Sequence, residues 1–277
     1  MPGKGRERKL VIPVFIPFGG CPHQCVFCDQ AGITGVEALP ATGEVHEMIE
    51  KYLSTWKGGR GNGSKEAAFY GGTFTGLSPE LQREYLKTAY EFVLSGRLDA
   101  LRVSTRPDYI SPDTIKLLKE YRVETVEIGV QSMSDEVLKK SGRGHSAGDT
   151  VRAVGLLREA GLSVGLQLMP GLPGDTVDSI VDTARKAAAL KPDFVRLYPA
   201  LVMKDTPLYD IYKRGEYTPW PLDEMVGVLS EAMGVFERTG IKVIRVGLQP
   251  TEDLEKSIVA GPYHPALRDL VGKGLQT

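Results

Sequence analysis

Strands and helices alternate along nearly the whole chain, and this alternation narrows the possible folds more than any other feature. "LVIPVFI" (10–16) is a short apolar, β-branched run and reads as a buried strand. A helix follows over 44–56, with Val45, Ile49 and Tyr52/Leu53 on one face. The pattern then repeats as strand 67–72, helix 78–96, strand 100–105, helix 111–121, strand 125–130, helix 148–161, strand 162–171, helix 175–190 and strand 193–199. Ser-Pro pairs open the helices at 78 and 111, and Gly161 closes another. Met225, Val228, Leu229, Ala232 and Phe236 share one more helical face, and "KVIRVGL" (242–248) closes the series as a strand. About six consecutive β-α units without a linker predict a parallel sheet wrapped by helices.

A doubly wound sheet and an α/β barrel both satisfy that alternation. A doubly wound sheet gathers its functional loops at one switch point, whereas a barrel carries them round the whole C-terminal rim. Here distinctive residues follow most strands: the cysteines, Gly71-Gly72-Thr73, Arg106, Gln131, Met169-Pro170-Gly171 and Tyr198-Pro199. The expected architecture is therefore α/β, a partial (β/α)6 barrel of the TIM type. Residues 1–9 form a basic tail, 10–200 the barrel, and 201–277 a short α/β extension packing back on it.

All three cysteines of the 277 residues fall in "CPHQCVFC", as Cys21, Cys25 and Cys28. A disulfide framework wants an even number spread through the chain. A structural zinc site wants four ligands, usually in two distant pairs. Soft thiolates in C-x3-C-x2-C spacing suit three corners of an iron–sulfur cubane, with one iron left open. The competing readings are a zinc site completed by His23, or buried structural thiols. His46, His145 and His264 are expected to be solvated or core histidines without metal.

Composition excludes little else. A net charge of −1 gives no global basic field for nucleic acid. No apolar run is long enough to span a membrane. Pro13 and Pro17 interrupt the signal-like start, and clustered reduced thiols point to the cytoplasm. The Gly-rich stretch 57–65 lacks the ending of a phosphate loop and reads as a connector. Lys4, Arg6, Arg8 and Lys9 read as a solvated tail, with an RNA-contacting arm as the alternative.

With the cysteine motif directly after the first strand of such a series, the chain resembles the radical S-adenosylmethionine (radical SAM) superfamily. "YGGTF", "TRPDYI", "VEIGVQSM", "RGH", "LMPGLPGDT" and "RLYPALV" come in the order found in the radical SAM part of the Elongator catalytic subunit. The oxygen-independent coproporphyrinogen oxidases are a near relative. The resemblance covers about residues 10–200 and implies a [4Fe–4S] cluster on Cys21, Cys25 and Cys28. It implies SAM as the second cofactor, chelated to the open iron and cleaved reductively to a 5′-deoxyadenosyl radical. By position it assigns Phe27 to the adenine side, Gly72 and Thr73 to the methionine amino group, and Gly71 beside them to the cofactor site. Gln131 and Arg143 match residues that reach the ribose and the methionine carboxylate. Gln167 stands where the relatives carry Asp or His near the ribose. Ser104 stands where they usually carry an acid.

The resemblance further implies transfer RNA as substrate and an electron donor such as flavodoxin or ferredoxin. The alternatives are a radical enzyme acting on a porphyrin-like small molecule and a non-catalytic electron-transfer protein. An electron carrier would supply a fourth thiolate and would not need the SAM loops. The segment after Tyr198 holds too little chain for an acetyltransferase fold, so the chain alone is not expected to transfer acetyl groups.

Overall fold

The computed structural model describes residues 9–22, 24–30, 35–36, 38–56 and 63–274. Lys4, Arg6, Arg8, His23 and most of the Gly-rich connector lie outside the described residues. Seven strands form one sheet in the order β1-β2-β3-β4-β5-β6-β8. They are β1 (Leu10–Ile16), β2 (Lys65–Gly71), β3 (Ala100–Thr105), β4 (Val123–Gln131), β5 (Ser163–Leu168), β6 (Phe194–Leu197) and β8 (Lys242–Val246). Every pairing is parallel. The sheet curls, because Pro13 and Phe15 of β1 and Arg245 of β8 line one cavity. The result is the partial barrel expected, with β8 hydrogen-bonded to β6 as its seventh strand.

Helices α1 (Thr42–Thr55), α2 (Pro79–Leu94), α3 (Pro112–Glu120), α4 (Asp135–Lys140), α5 (Ala147–Glu159) and α6 (Val177–Ala189) join the first six strands. Their starts are chemically marked. The Ser78 and Ser111 hydroxyls accept from the backbone N–H three residues on, each with proline at the first helical position. Ser146 with Asp149, and Thr176 with Ser179, cap α5 and α6 reciprocally. Predicted boundaries shift where local chemistry intervenes. The strand expected over 162–171 stops at Leu168, because Pro170 lacks an N–H and Gly171 takes φ +90.

Four elements escaped the sequence reading besides α4. These are α7 (Pro207–Lys213), α9 (Glu252–Ser257), and the antiparallel pair β7 (Val202–Met203) and β9 (Ile258–Ala260). All are too short to display a period. Helix α8 (Leu222–Arg238) packs on α6, and α10 (Leu267–Gly274) packs on α8 and β8. Arg268 ties α10 to the Val243 carbonyl at 2.9 Å.

Alternate side chains on a strand point to opposite faces. The outward set, including Ile12, Val14, Ile16, Phe69, Leu101, Val103, Val126 and Ile128, is buried beneath the helices in one apolar core. The inward set is polar and charged: Glu66, Tyr70, Arg102, Ser104, Glu127, Gln167, Arg196 and Arg245. Glu127 is fully buried and collects donors from four other strands. Oε1 accepts from Tyr70 Oη at 2.9 Å, Arg102 Nη1 at 2.7 Å and Arg196 Nη2 at 3.1 Å. Oε2 accepts from Arg196 Nε at 2.8 Å and Gln167 Nε2 at 3.0 Å. Arg102 also grips Glu66 through Nε at 3.0 Å and Nη2 at 2.9 Å. Lys9 pairs with the same Glu66, so this basic residue is anchored to β2.

Burial alone would raise the Glu127 pKa. The Arg196 and Arg102 charges outweigh it and hold the carboxyl below its usual range. Removing this partner leaves the buried Arg102 and the half-buried Arg196 without their shared counter-ion. Glu127→Ala is therefore expected to lower unfolding free energy by about 3–5 kcal/mol. Urea unfolding at neutral pH measures this, and a loss below about 1 kcal/mol would show that water replaces the carboxylate.

Candidate active site

The loop after β1 is held by backbone contacts that require glycine. Gly20 takes φ +69, and a Cβ there would stand 2.2 Å from the Thr73 carbonyl oxygen. A Cβ on Gly72 would stand 2.1 Å from the Gly19 oxygen, and one on Gly76 2.3 Å from the Gly20 oxygen. The loops after β1 and β2 thus interlock backbone against backbone. Thr73 N donates to Gly19 O at 2.7 Å, and Gly72 N to Ile16 O at 3.0 Å. At Gly72 the missing side chain makes room for the protein's own loop, while Gly71, exposed at φ +106, faces the cavity.

The far side of the cysteine loop rests on two of the short elements that the sequence did not reveal. Val26 N donates to Ser141 O at the end of α4 (3.1 Å), and Leu208 N of α7 donates to Val26 O (2.7 Å). Phe27 packs against Val137, Leu172 and Ala200 on one side and Val202, Leu208 and Tyr217 on the other. This wedge turns the three thiols toward the barrel mouth.

All three cysteines are free, and all line one cavity of about 580 Å³. So do Phe27, Gly71, Gly72, Thr73, Ser104, Gln131, Arg143 and Gln167, which completes the set named from the sequence. Thr73 Oγ1 lies 3.3 Å from Cys21 Sγ. Gln30 Nε2 donates to Cys28 Sγ at 3.3 Å, and Arg143 Nη1 to Cys25 Sγ at 3.4 Å. Burial pushes the Cys28 thiol up to about 12; the Gln30 amide opposes the rise, and Cys25 and Cys21 add to it. A thiolate at Cys28 therefore calls for a strongly positive partner, which bound iron supplies. Among the described residues no three His, Cys, Asp or Glu converge as a single-ion site. An iron–sulfur cluster spreads its corners and needs no such convergence.

Arg143 is buried. Its Nη2 donates to Gly129 O at 2.7 Å, and its buried Nε has no partner among the described residues. Gln131 sits at the β4 bulge with φ +67, a conformation that costs a non-glycine residue about 1–3 kcal/mol. A Cβ on Gly129 would meet Arg143 Nη2 at 2.7 Å and Gln131 Nε2 at 3.0 Å. Gly129, which the sequence reading passed over, is what lets both side chains lie across β4.

Ser104 and Glu127 are register partners on neighbouring strands. Gln167 Nε2 reaches Ser104 Oγ at 3.5 Å as well as Glu127. The charge missing at Ser104 is therefore present one strand away, neutralised by arginines. Tyr70, Arg196 and Arg245 also line the cavity and were missed. Their signal was a polar or charged residue at an inward position of an otherwise apolar strand. His145 is a buried core histidine, its Nε2 3.2 Å from Val130 O, and burial pushes its pKa down to about 3. His46 packs on the Phe92 ring, and His264 Nδ1 accepts from Ala266 N.

Residues 15–187 match the radical SAM superfamily, and residues 192–277 match the radical SAM C-terminal domain. The chain belongs to the radical SAM superfamily. It is an enzyme, and its cofactors are the [4Fe–4S] cluster and SAM bound by members of that family. A radical SAM chain needs three free soft donors beside a roomy cavity, and the residues described above fit both groups. The tRNA uridine(34) acetyltransferase of Methanocaldococcus infernus is 30% identical over 266 residues, covering 82% of this chain and 50% of that protein. The heme chaperone HemW of Bacillus subtilis is 29% identical over 231 residues, covering 82% of this chain and 60% of that protein. The structure of M. infernus Elp3 with an N-terminal deletion superposes with TM-score 0.76 at 27% identity, covering 97% of this chain and 62% of that one. Coproporphyrinogen III oxidase of Escherichia coli, at 20% identity and TM-score 0.60 over 84% of this chain and 53% of that one, shares the fold. The chain spans about half the length of the acetyltransferase relatives.

Arg143→Ala is expected to weaken SAM binding by about 1.5–3 kcal/mol, the value of one charge-assisted hydrogen-bonded contact. Anaerobic calorimetry on reconstituted protein measures it. An unchanged Kd would mean that Arg143 serves the cysteine loop alone.

Proposed function

We propose that this radical SAM enzyme modifies a nucleoside of transfer RNA. The observation that carries this reading is the match, over 97% of this chain, to an Elp3 structure. The tRNA uridine(34) acetyltransferases among its sequence relatives support it. The proposal covers the radical step, since the chain spans about half of those relatives.

In this reading Cys21, Cys25 and Cys28 hold the cluster. A bound cluster would supply the one-electron reduction that splits SAM into methionine and a 5′-deoxyadenosyl radical. Gly71, Gly72 and Thr73 offer backbone and hydroxyl groups to the methionine amino group. Arg143, with an Nε that has no partner among the described residues, takes the methionine carboxylate, and Gln131 meets the ribose beside it. Ser104 and Gln167 supply neutral hydrogen bonds on the ribose side. Because Gln167 spends its N–H groups on Glu127 and Ser104, its carbonyl oxygen is the part left to accept from a hydroxyl. Phe27 backs the adenine. The electron comes from a flavodoxin- or ferredoxin-type donor, and the enzyme works in the cytoplasm.

The test is anaerobic incubation of reconstituted protein with SAM, dithionite and bulk transfer RNA. Expected are 5′-deoxyadenosine formation that rises with RNA, a mass change in one nucleoside after digestion, and loss of both in Cys25→Ala. Stimulation by a porphyrinogen in place of RNA would overturn the substrate assignment.

A further inference from the structure

The cavity has a second chemical end that the cofactor residues do not use. Gln167, Arg196 and Arg245 share one register level across β5, β6 and β8. Neighbouring strands lie about 4.8 Å apart, so Arg196 and Arg245 stand side by side on the inner wall. Both line the cavity, at the opposite edge of the sheet from the strand that carries the cysteine loop.

The charges on this wall do not balance. Two interior carboxylates, Glu66 and Glu127, face Lys9, Arg102 and Arg196. Arg102 engages both acids, so Arg196 shares a carboxylate that already has a cation. Among the described residues Arg245 has no carboxylate partner. Its Nε donates to Gly247 O at 3.1 Å and its Nη2 to Gln249 Oε1 at 2.9 Å, both neutral acceptors. Each guanidinium is thus gripped along its Nε–Nη2 edge. Arg245 Nη1 has no hydrogen-bond partner among the described residues, and Arg196 Nη1 has one long contact to Tyr198 Oη at 3.4 Å. Asp29 is the single acid among the cavity-lining residues, and it belongs to the cysteine loop. Two half-buried arginines, one sharing an acid that already has a cation and the other held by neutral acceptors, are suited to an incoming oxyanion.

We propose that Arg196 and Arg245 form an oxyanion-binding wall that holds a phosphate ester or carboxylate of the substrate while SAM occupies the cysteine end. The assignment deepens the proposed function by naming what the substrate must carry. For a nucleic acid the anion is a backbone phosphate beside the reacting nucleoside; for an acyl-group donor it is a carboxylate or phosphate. Anchoring that anion on β6 and β8 fixes which part of the substrate points back toward the cofactor end.

The experiment titrates the full chain by calorimetry in halide-free buffer with inorganic phosphate, pyrophosphate and malonate. It is run on reconstituted protein saturated with SAM and again on protein without cluster. Expected is one saturable site, present in both forms, with Kd raised about ten-fold or more in Arg245→Gln. Arg196→Lys, which keeps charge but loses the fork, should weaken it in the same direction. Preference for the phosphates identifies a phosphate ester, and preference for malonate a carboxylate. Absence of saturable binding, or a Kd indifferent to Arg245→Gln, overturns the proposal. So does a result in which that variant loses SAM affinity and no anion site is found, because the wall then serves SAM. Among the described residues Arg245 hydrogen-bonds only to Gly247 and Gln249 just beyond its strand, so its variant carries the test if the Arg196 variant does not fold. A chain that binds anions as described yet leaves transfer RNA unmodified would refute the substrate reading and leave the wall standing.

Discussion

A single buried carboxylate organises the inside of this barrel. Glu127 takes hydrogen bonds from β2, β3, β5 and β6 at once. An unpaired carboxylate could not remain ionised there, and the arginines around it could not be buried without it. Mutual dependence of this kind sets strand positions as well as charge. Arg102 and Arg196 reach the same acid from opposite sides, and the Gln167 amide is pinned so that its carbonyl is free. The polar floor beneath the cofactor cavity is therefore rigid, and its surplus positive charge is displaced toward β6 and β8.

Above that floor the cysteine loop is held by shape more than by charge. Gly20, Gly72 and Gly76 let two loops meet at backbone distance, and Thr73 joins them through its N–H and its hydroxyl. Val26 and Phe27 fasten the other flank to α4, α7 and the packing around Leu208. A cluster site must hold three thiolates in fixed relation while leaving one iron exposed. Fastening the loop on both flanks, with the thiols facing the cavity between, meets that need with the chain's own backbone.

The barrel and the cofactor end were legible because each rests on a local signal. Strand and helix periods gave the alternation, caps gave the helix starts, and one loop carried every cysteine. The inner charge network was not legible. Glu66, Arg102, Glu127 and Arg196 are far apart in sequence, and each looks like an ordinary surface charge until the sheet curls. The alternation of polar and apolar residues was visible in "VEIGVQ" and "FVRLYP", yet parallel strands covered by helices are expected to be apolar on both faces. Gly129 was passed over for a similar reason: its role appears when Arg143, from a later loop, crosses it. The short elements α4, α7, β7 and β9 hold the cysteine loop and the barrel rim with too few residues to show a period.

The central claim is that three thiolates hold a four-iron cluster and leave one iron to SAM. Mössbauer spectroscopy of protein reconstituted with the Mössbauer-active iron isotope, before and after SAM, tests it most directly. About one iron in four should change its isomer shift when SAM is added, as its coordination number rises, while the others stay unchanged. A full cluster whose irons all ignore SAM, or a metal content of one ion per chain, would contradict the account.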